Sequence, residues 1–238
     1  VSSLATGSTE ATVEGVRSTF DPLGDGISRL ELVDHMGSDH RVVQAARVSY
    51  ARDLTPWDES RDPRLIQYLV DHGHWSCFEH CYLTVLVECP LFVARQWMRH
   101  RSWNFNEVSR RYTSEDIKFY VPSNWRTQHS KNKQSSSLED VANSWKADEH
   151  RHIATSVANT AYEQLLNLGV AREQARIVLP QSLYTRYYAT ASLRSVIHFL
   201  QSRDHEDAQW EIQQYSKALR EIMKELWPMT YQAVWKEE

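Results

Sequence analysis

Residues 95–112 read RQWMRHRSWNFNEVSRRY. Arg95, Arg99, His100, Arg101, Arg110 and Arg111 stand there against one acidic residue, Glu107, in a chain of formal net charge -4. Like charges crowded this closely repel one another, so the stretch implies an anionic ligand and not a generally basic protein. Guanidinium groups present a planar fork of donors that suits phosphate and ring carbonyl oxygens. Ser102, Asn104, Asn106, Ser109 and Tyr112 add further hydrogen-bonding groups. Trp97, Met98, Trp103 and Phe105 would bury the stretch, and buried arginines need partners that one glutamate cannot supply. The simplest ligand is a phosphorylated small molecule; the alternative is a solvated basic surface.

Outward from this stretch the pattern is helical with a few separated strands. Pro90 opens a helix over 91–100, which puts Arg95 and Arg99 on one face. Alternation predicts a strand over 27–34, and β-rich runs predict strands over 82–87 and 183–191. Ser38 is placed to cap a helix carrying Val42, Val43 and Ala46, and Asp62-Pro63 opens another that stops near Gly73. Residues 123–137 show no apolar period and read as a polar loop, followed by a long helix over 138–168. A short helix over 172–179, then helices over 192–202 and 208–226, complete the pattern, the last ending at Pro228. Residues 1–26 are small, polar and aperiodic and read as a loosely ordered extension, with one domain over 27–238. The expected fold class is α+β, helix-rich with a small, mostly antiparallel sheet.

The 238 residues hold 41% hydrophobic and 24% charged residues, as a soluble globular chain does, with no apolar run long enough for a membrane span. Three cysteines (Cys77, Cys81 and Cys89) and no secretion signal fit a cytoplasmic setting. There is no G-x-G-x-x-G, no Walker loop and no G-x-S-x-G elbow, so phosphates must be held by side chains. A second basic group comprises Arg172, Arg176, Arg186, Arg194 and Arg203. Arg194 and Arg203 leave opposite sides of one helix; pairing with Glu173, Asp204 or Glu206 is the alternative use of this group. The HGHWSCFEHC run at 72–81 holds zinc-type ligands but lacks a second pair at finger-like spacing. It reads better as a loop offering His74 and Ser76 to a ligand.

Arg99-His100-Arg101 followed, after seven residues, by Ser109 resembles the R-H-R-x7-S motif of the flavin-dependent thymidylate synthases. His72-Gly73-His74, Phe78-Glu79-His80, Asn106-Glu107, Arg111-Tyr112, Tyr184-Thr185-Arg186, Arg194-Ser195 and the 92–97, 175–180 and 208–215 stretches are similar to that family too. The resemblance implies conversion of dUMP to dTMP, with methylenetetrahydrofolate as one-carbon donor, reduced FAD as hydride donor and NADPH re-reducing the flavin. It implies a homotetramer with shared active sites; the net acidity argues against a nucleic-acid partner, and the lack of a long apolar run argues against a membrane. It places Gln96, Arg99, Glu107, Ser109, Arg110, Arg111 and Arg176 on dUMP, with Arg203 as the catalytic arginine that stabilises the ionised uracil. Ser76, Arg99, His100, Arg101, Glu107, Ser192, Arg194 and His198 fall at flavin-contact positions, and His74 where flavin and folate stack. Arg110 stands where the family often has glycine or glutamine, Ser192 and His198 where asparagine is common, and Asp207 where histidine is frequent. A nucleic-acid binder, a zinc module and a flavoprotein that only oxidises NADPH are the competing readings; flavin colour, metal analysis and tritium release from labelled dUMP separate them.

Overall fold

The computed structural model describes residues 12, 13, 16, 17, 19–52, 55–133 and 135–236. Two short strands come first, β1 (Thr12–Val13) paired with β2 (Val16–Arg17), then β3 (Thr19–Phe20). Most of the expected 1–26 extension lies outside the described residues. Thr19 and Phe20, however, pair antiparallel with Glu31 and Leu30, and Phe20 is buried in the core. The domain therefore begins before residue 27.

β4 (Arg29–Met36) leads through Gly37 into α1 (Asp39–Arg47), then α2 (Asp62–Asp71). A 3-10 turn (Trp75–His80) joins α2 to β5 (Tyr82–Pro90), α3 (Leu91–Trp97) and β6 (Asn104–Glu107). β7 (Arg126–Gln128) and β8 (Ser136–Asp140) form a hairpin ahead of α4 (Ser144–Asn167), and α5 (Arg172–Ala175) follows. β9 (Tyr184–Ser192), α6 (Leu193–Arg203), α7 (Trp210–Leu226) and α8 (Pro228–Trp235) close the chain.

The main sheet has the order β3-β4-β5-β9-β6, and each of its pairings is antiparallel. Register places Leu30 beside Val87 and Val87 beside Tyr187, with Leu32, Val85 and Ala189 as the next row. Because side chains alternate across a strand, these rows share one face, and each of the six is buried. On the opposite face Thr84 and Thr190 meet hydroxyl to hydroxyl at 2.9 Å. Trp97 anchors the helices to the buried face. It stacks on Phe199 of α6 at 4.4 Å and meets Tyr187 of β9 and Tyr215 of α7 edge-on at 6.1 and 6.3 Å.

Several expectations shift. The polar 123–137 loop is largely the β7–β8 hairpin, whose pairing of polar residues leaves no hydropathy period to read. The long helix starts at Ser144, because the residues before it are spent on β8. α3 stops at Trp97, short of His100, and β6 is a strand that the local pattern does not mark. Pro228 ends α7's run but sits in the first turn of α8, where its missing N–H costs nothing. Ser38 lies at the N-cap of α1 without a side-chain cap bond. Among the described residues, no helix is long and apolar enough to cross a membrane.

Gly37 turns the chain at φ 83°, and a Cβ there would come within 2.8 Å of Cys81 Sγ. Its carbonyl accepts from Trp227 Nε1 at 3.0 Å. Beside it, buried Asp39 caps the far end of the chain. Its carboxylate accepts from the N–H groups of Met229 and Thr230 at 2.9 and 3.0 Å and from the Thr230 hydroxyl at 2.6 Å. These N–H groups lie in the first turn of α8 and have no partner within that helix. Replacing Asp39 with alanine orphans three donors, two of them buried, and the expected loss is about 1–3 kcal/mol of unfolding free energy. Urea unfolding that shows an unchanged midpoint would refute this cap.

Candidate functional site

The R-H-R triplet lies on the turn between α3 and β6. His100 N–H donates to the Trp97 carbonyl at 2.9 Å, and Trp103 N–H donates to the His100 carbonyl at 3.2 Å. The turn points its members to different places. His100 is 8% exposed, while Arg99 and Arg101 are exposed and make no side-chain hydrogen bond or ion pair among the described residues.

Arg203, the last residue of α6, comes to His100. Its Nε donates to His100 Nε2 at 3.0 Å and its Nη2 to the Gln96 carbonyl at 3.2 Å. For Nε2 to accept, the imidazole must carry its proton on Nδ1. Burial, then the Arg203 charge, then His198 push the His100 pKa down to about 4, so the ring is neutral near pH 7. A protonated ring would repel the guanidinium it now orients. Asp204, the nearest carboxylate in sequence, is taken by Arg220 at 2.8 Å. Arg203 is half-buried with no carboxylate partner among the described residues, and burial lowers its pKa. Here is a fixed, uncompensated positive charge with spare donors.

A second group gathers at the end of β6. Glu107 accepts from the Thr185 hydroxyl at 2.6 Å. Val108 N–H donates to the Arg186 carbonyl at 2.9 Å, which carries the chain into a turn at Ser109. Ser109 Oγ accepts from Arg111 N–H at 3.3 Å and has no histidine or carboxylate partner among the described residues. Arg111 pairs loosely with Glu173 at 3.7 Å, and Arg176 Nε donates to the Glu173 carbonyl at 3.3 Å, so Arg111 and Arg176 share one neighbour. Arg110 is used differently. Its guanidinium binds the carbonyls of Glu115 and Asp116 and so folds its own loop. Two of its side-chain donors are therefore spent on the loop. Among the described residues no hydrogen bond or ion pair joins this group to Arg203, Gln96 and His100.

Of the positions expected to meet flavin, His74, Ser76, Arg194 and His198 line two cavities of ≈ 440 and ≈ 590 Å³ that share Trp75 and Arg194, whereas Arg99, His100, Arg101, Glu107 and Ser192 line neither. Ser102 and His198 line the first; His74 and Ser76 line the second. His198 is 5.6 Å from His100, centroid to centroid, which links the first cavity to the Arg203 group. Arg194 pairs with Glu79, whereas Arg203 is held by His100 and the Gln96 carbonyl. Ser192 caps α6: its hydroxyl accepts from Ser195 N–H at 3.4 Å. It is 8% exposed and so is committed to the helix more than to a ligand. Large cavities rimmed by guanidinium, imidazole and hydroxyl donors beside an indole suit a flat aromatic cofactor with phosphates. Nothing local in the sequence marks Gln209 as the partner of Gln96, Glu211 as the partner of Gln209, or Thr185 as the partner of Glu107.

The three cysteines offer no nucleophile. Cys77, Cys81 and Cys89 are free and buried. Burial raises all three thiol pKa values, to about 12 for Cys81 and Cys89. Thiolate is the reactive form, so these groups are inert near neutral pH. In the 72–81 run, His72 stacks on Tyr68 at 4.0 Å and the cysteines point into the core. Among the described residues no three His, Cys, Asp or Glu side chains are grouped to hold a metal ion.

The chain is similar to known proteins over most of its length. The family model described as thymidylate synthase complementing protein matches residues 31–229. A flavin-dependent thymidylate synthase of Thermosipho africanus is 46% identical over 208 residues, covering 86% of this chain and 89% of that protein. One of Thermus thermophilus is 44% identical over 215 residues, covering 90% of this chain and 77% of that protein. Among solved structures, the UMP/dUMP methylase PolB from Streptomyces cacaoi bound with 5-Br dUMP superposes with TM-score 0.80 at 36% identity, covering 86% of this chain and 93% of that one.

The His100–Arg203 bond makes a prediction about pH. The folded pKa of His100 lies below its unfolded value of roughly 6.5, so the unfolded chain takes up the proton first. Stability from this group is complete above about 6.5 and declines as pH falls toward 4. An imidazole resonance that titrates near 4 and disappears in His100→Gln is expected; a His100 resonance with a midpoint near 6.5 would contradict the geometry.

Proposed function

The chain belongs to the flavin-dependent thymidylate synthase family, and from that membership we propose that it converts dUMP to dTMP, with FAD as cofactor, methylenetetrahydrofolate as one-carbon donor and NADPH as reductant. The observation that carries the reading is Arg203: a half-buried guanidinium without a carboxylate partner among the described residues, held by His100 and the Gln96 carbonyl. Uracil C5 is a poor nucleophile until negative charge develops across N3–C4–O4 or at O2. A guanidinium held in place beforehand stabilises that charge without reorganising during the reaction. His100 contributes by staying neutral and fixing the direction of Nε. The inert cysteines support a route without a covalent cysteine adduct. Reduced flavin supplies the hydride when bound, and Arg194, His198, Ser76 and His74 are the residues placed to hold it.

Ser109, Arg111, Arg176 and the Arg110 N–H form the phosphate end of the nucleotide site in this reading. Arg99 and Arg101, exposed and without a side-chain partner among the described residues, meet flavin or nucleotide with Glu107. A homotetramer with shared sites is part of the proposal. Two features support it: the phosphate group and the Arg203 group are not bonded to each other among the described residues, and α4 exposes Trp145, Ile153 and Val157. Because the solved Streptomyces relative is a UMP/dUMP methylase, preference for the deoxynucleotide is itself part of the proposal.

The test is dTMP formation with FAD, dUMP, methylenetetrahydrofolate and NADPH omitted in turn, and with UMP replacing dUMP. Arg203→Ala is expected to lower kcat roughly 100- to 1000-fold, the scale of a lost charge-stabilising donor. Ser109→Ala is expected to keep turnover with a raised KM. Normal turnover in Arg203→Ala, together with a dead Ser109→Ala that still binds dUMP, would reverse the two roles.

A further inference from the structure

The 208–215 stretch carries no role in the reading above, yet it contains a buried carboxylate wired to the nucleotide site. Glu211 is 3% exposed. Its Oε1 accepts from Arg126 Nη2 at 2.6 Å and from the Tyr120 hydroxyl at 3.3 Å. Its Oε2 accepts from Gln209 Nε2 at 2.9 Å, and Gln209 Oε1 accepts from Gln96 Nε2. Arg126 is itself immobilised: its Nε donates to Ser136 Oγ at 2.9 Å, and its guanidinium lies 4.9 Å from the Trp210 ring centroid.

The chemistry of this chain of bonds allows one polarity. An ionised carboxylate only accepts, so Gln209 must turn its NH2 toward Glu211. That leaves Gln209 Oε1 facing Gln96, and Gln96 must answer with its own NH2. Gln96 Oε1 is then the atom left without a protein partner among the described residues, on the residue whose carbonyl also holds Arg203. We propose that Glu211, locked by Arg126, is a positioning residue that sets this two-amide relay so that Gln96 offers the nucleotide an acceptor. The inference rests on the reading of Gln96 as a dUMP residue. What Gln96 selects is a hydrogen-bond donor on the nucleotide as it binds, before charge develops on the ring, which neutral dUMP has at ring N3–H and at the 3′-hydroxyl. Cytosine carries a lone pair at N3, which would face the lone pairs of Gln96 Oε1.

The test uses the full-length flavoprotein and three variants: Gln209→Met, Gln96→Ala and the double substitution. Methionine keeps the length of Gln209 and leaves the Arg126–Glu211 pair in place. Gln209→Met is expected to raise KM for dUMP about tenfold, the scale of one hydrogen bond to the ligand, with kcat nearly unchanged. In the Gln96→Ala background it is expected to add nothing, because it acts through Gln96. A general packing defect would instead add in full. Inhibition by dCMP should tighten relative to dUMP in Gln209→Met if the donor is N3–H; the penalty for 2′,3′-dideoxy-UMP should shrink if it is the hydroxyl. Retention of both discriminations, an unchanged KM in Gln209→Met, or full additivity with Gln96→Ala overturns the relay. If the unsubstituted protein does not bind dUMP in equilibrium dialysis, the nucleotide reading falls and the relay with it. If it does bind dUMP while Gln209→Met is unchanged, only the relay falls.

Discussion

Trp97 is the constraint from which the site follows. The indole is fully buried and meets Phe199, Tyr187 and Tyr215, so it ties α3 to α6, β9 and α7. Aromatic groups of this size dominate local packing energy, and their edge and face preferences restrict how the elements can cross. With Trp97 locked, the turn that begins at its carbonyl has little freedom. His100 must fall inward beside Phe199, at 4.9 Å between centroids, and the C-terminal end of α6 then brings Arg203 to it. An apolar contact thus decides the direction of a charge.

That charge is handled differently from others in the molecule. Arg47, Arg126 and Arg220 each meet a well-buried carboxylate. Arg203 meets a neutral imidazole and a carbonyl. Leaving a half-buried guanidinium without a counter-ion is costly in the free protein. The arrangement is consistent with a site whose ligand brings the missing negative charge, and it explains why a chain of net charge -4 tolerates a basic stretch. Burial acts in the opposite sense on the cysteines, where it removes reactivity.

Much of the fold was legible from local pattern. The strand expected over 183–191 is β9 at 184–192, and the helix opened by Asp62-Pro63 starts at Asp62. Both carry strong local signals, a β-rich run in one and proline at the first turn in the other. The hairpin at 126–140 was not legible, because its polar residues are held by Arg126 reaching a carboxylate 85 positions away. Likewise β6 is a four-residue edge strand of mixed polarity, and its strand character comes from pairing with β9. The side-chain partners of Arg110 were not legible for a similar reason: the loop carbonyls it binds are invisible until the loop is folded.

By itself the sequence determined the class of fold, the clustering of arginines and the family to which they belong, because periodicity, capping residues and the R-H-R-x7-S spacing are properties of neighbours along the chain. Tertiary structure alone decided that His100 stays neutral and directs Arg203 across 103 positions, that Arg110 serves its own loop, and that Glu211 reaches Gln96 through Gln209. The physical reason is that burial and hydrogen-bond polarity depend on which groups packing brings together, and no local pattern records the partner.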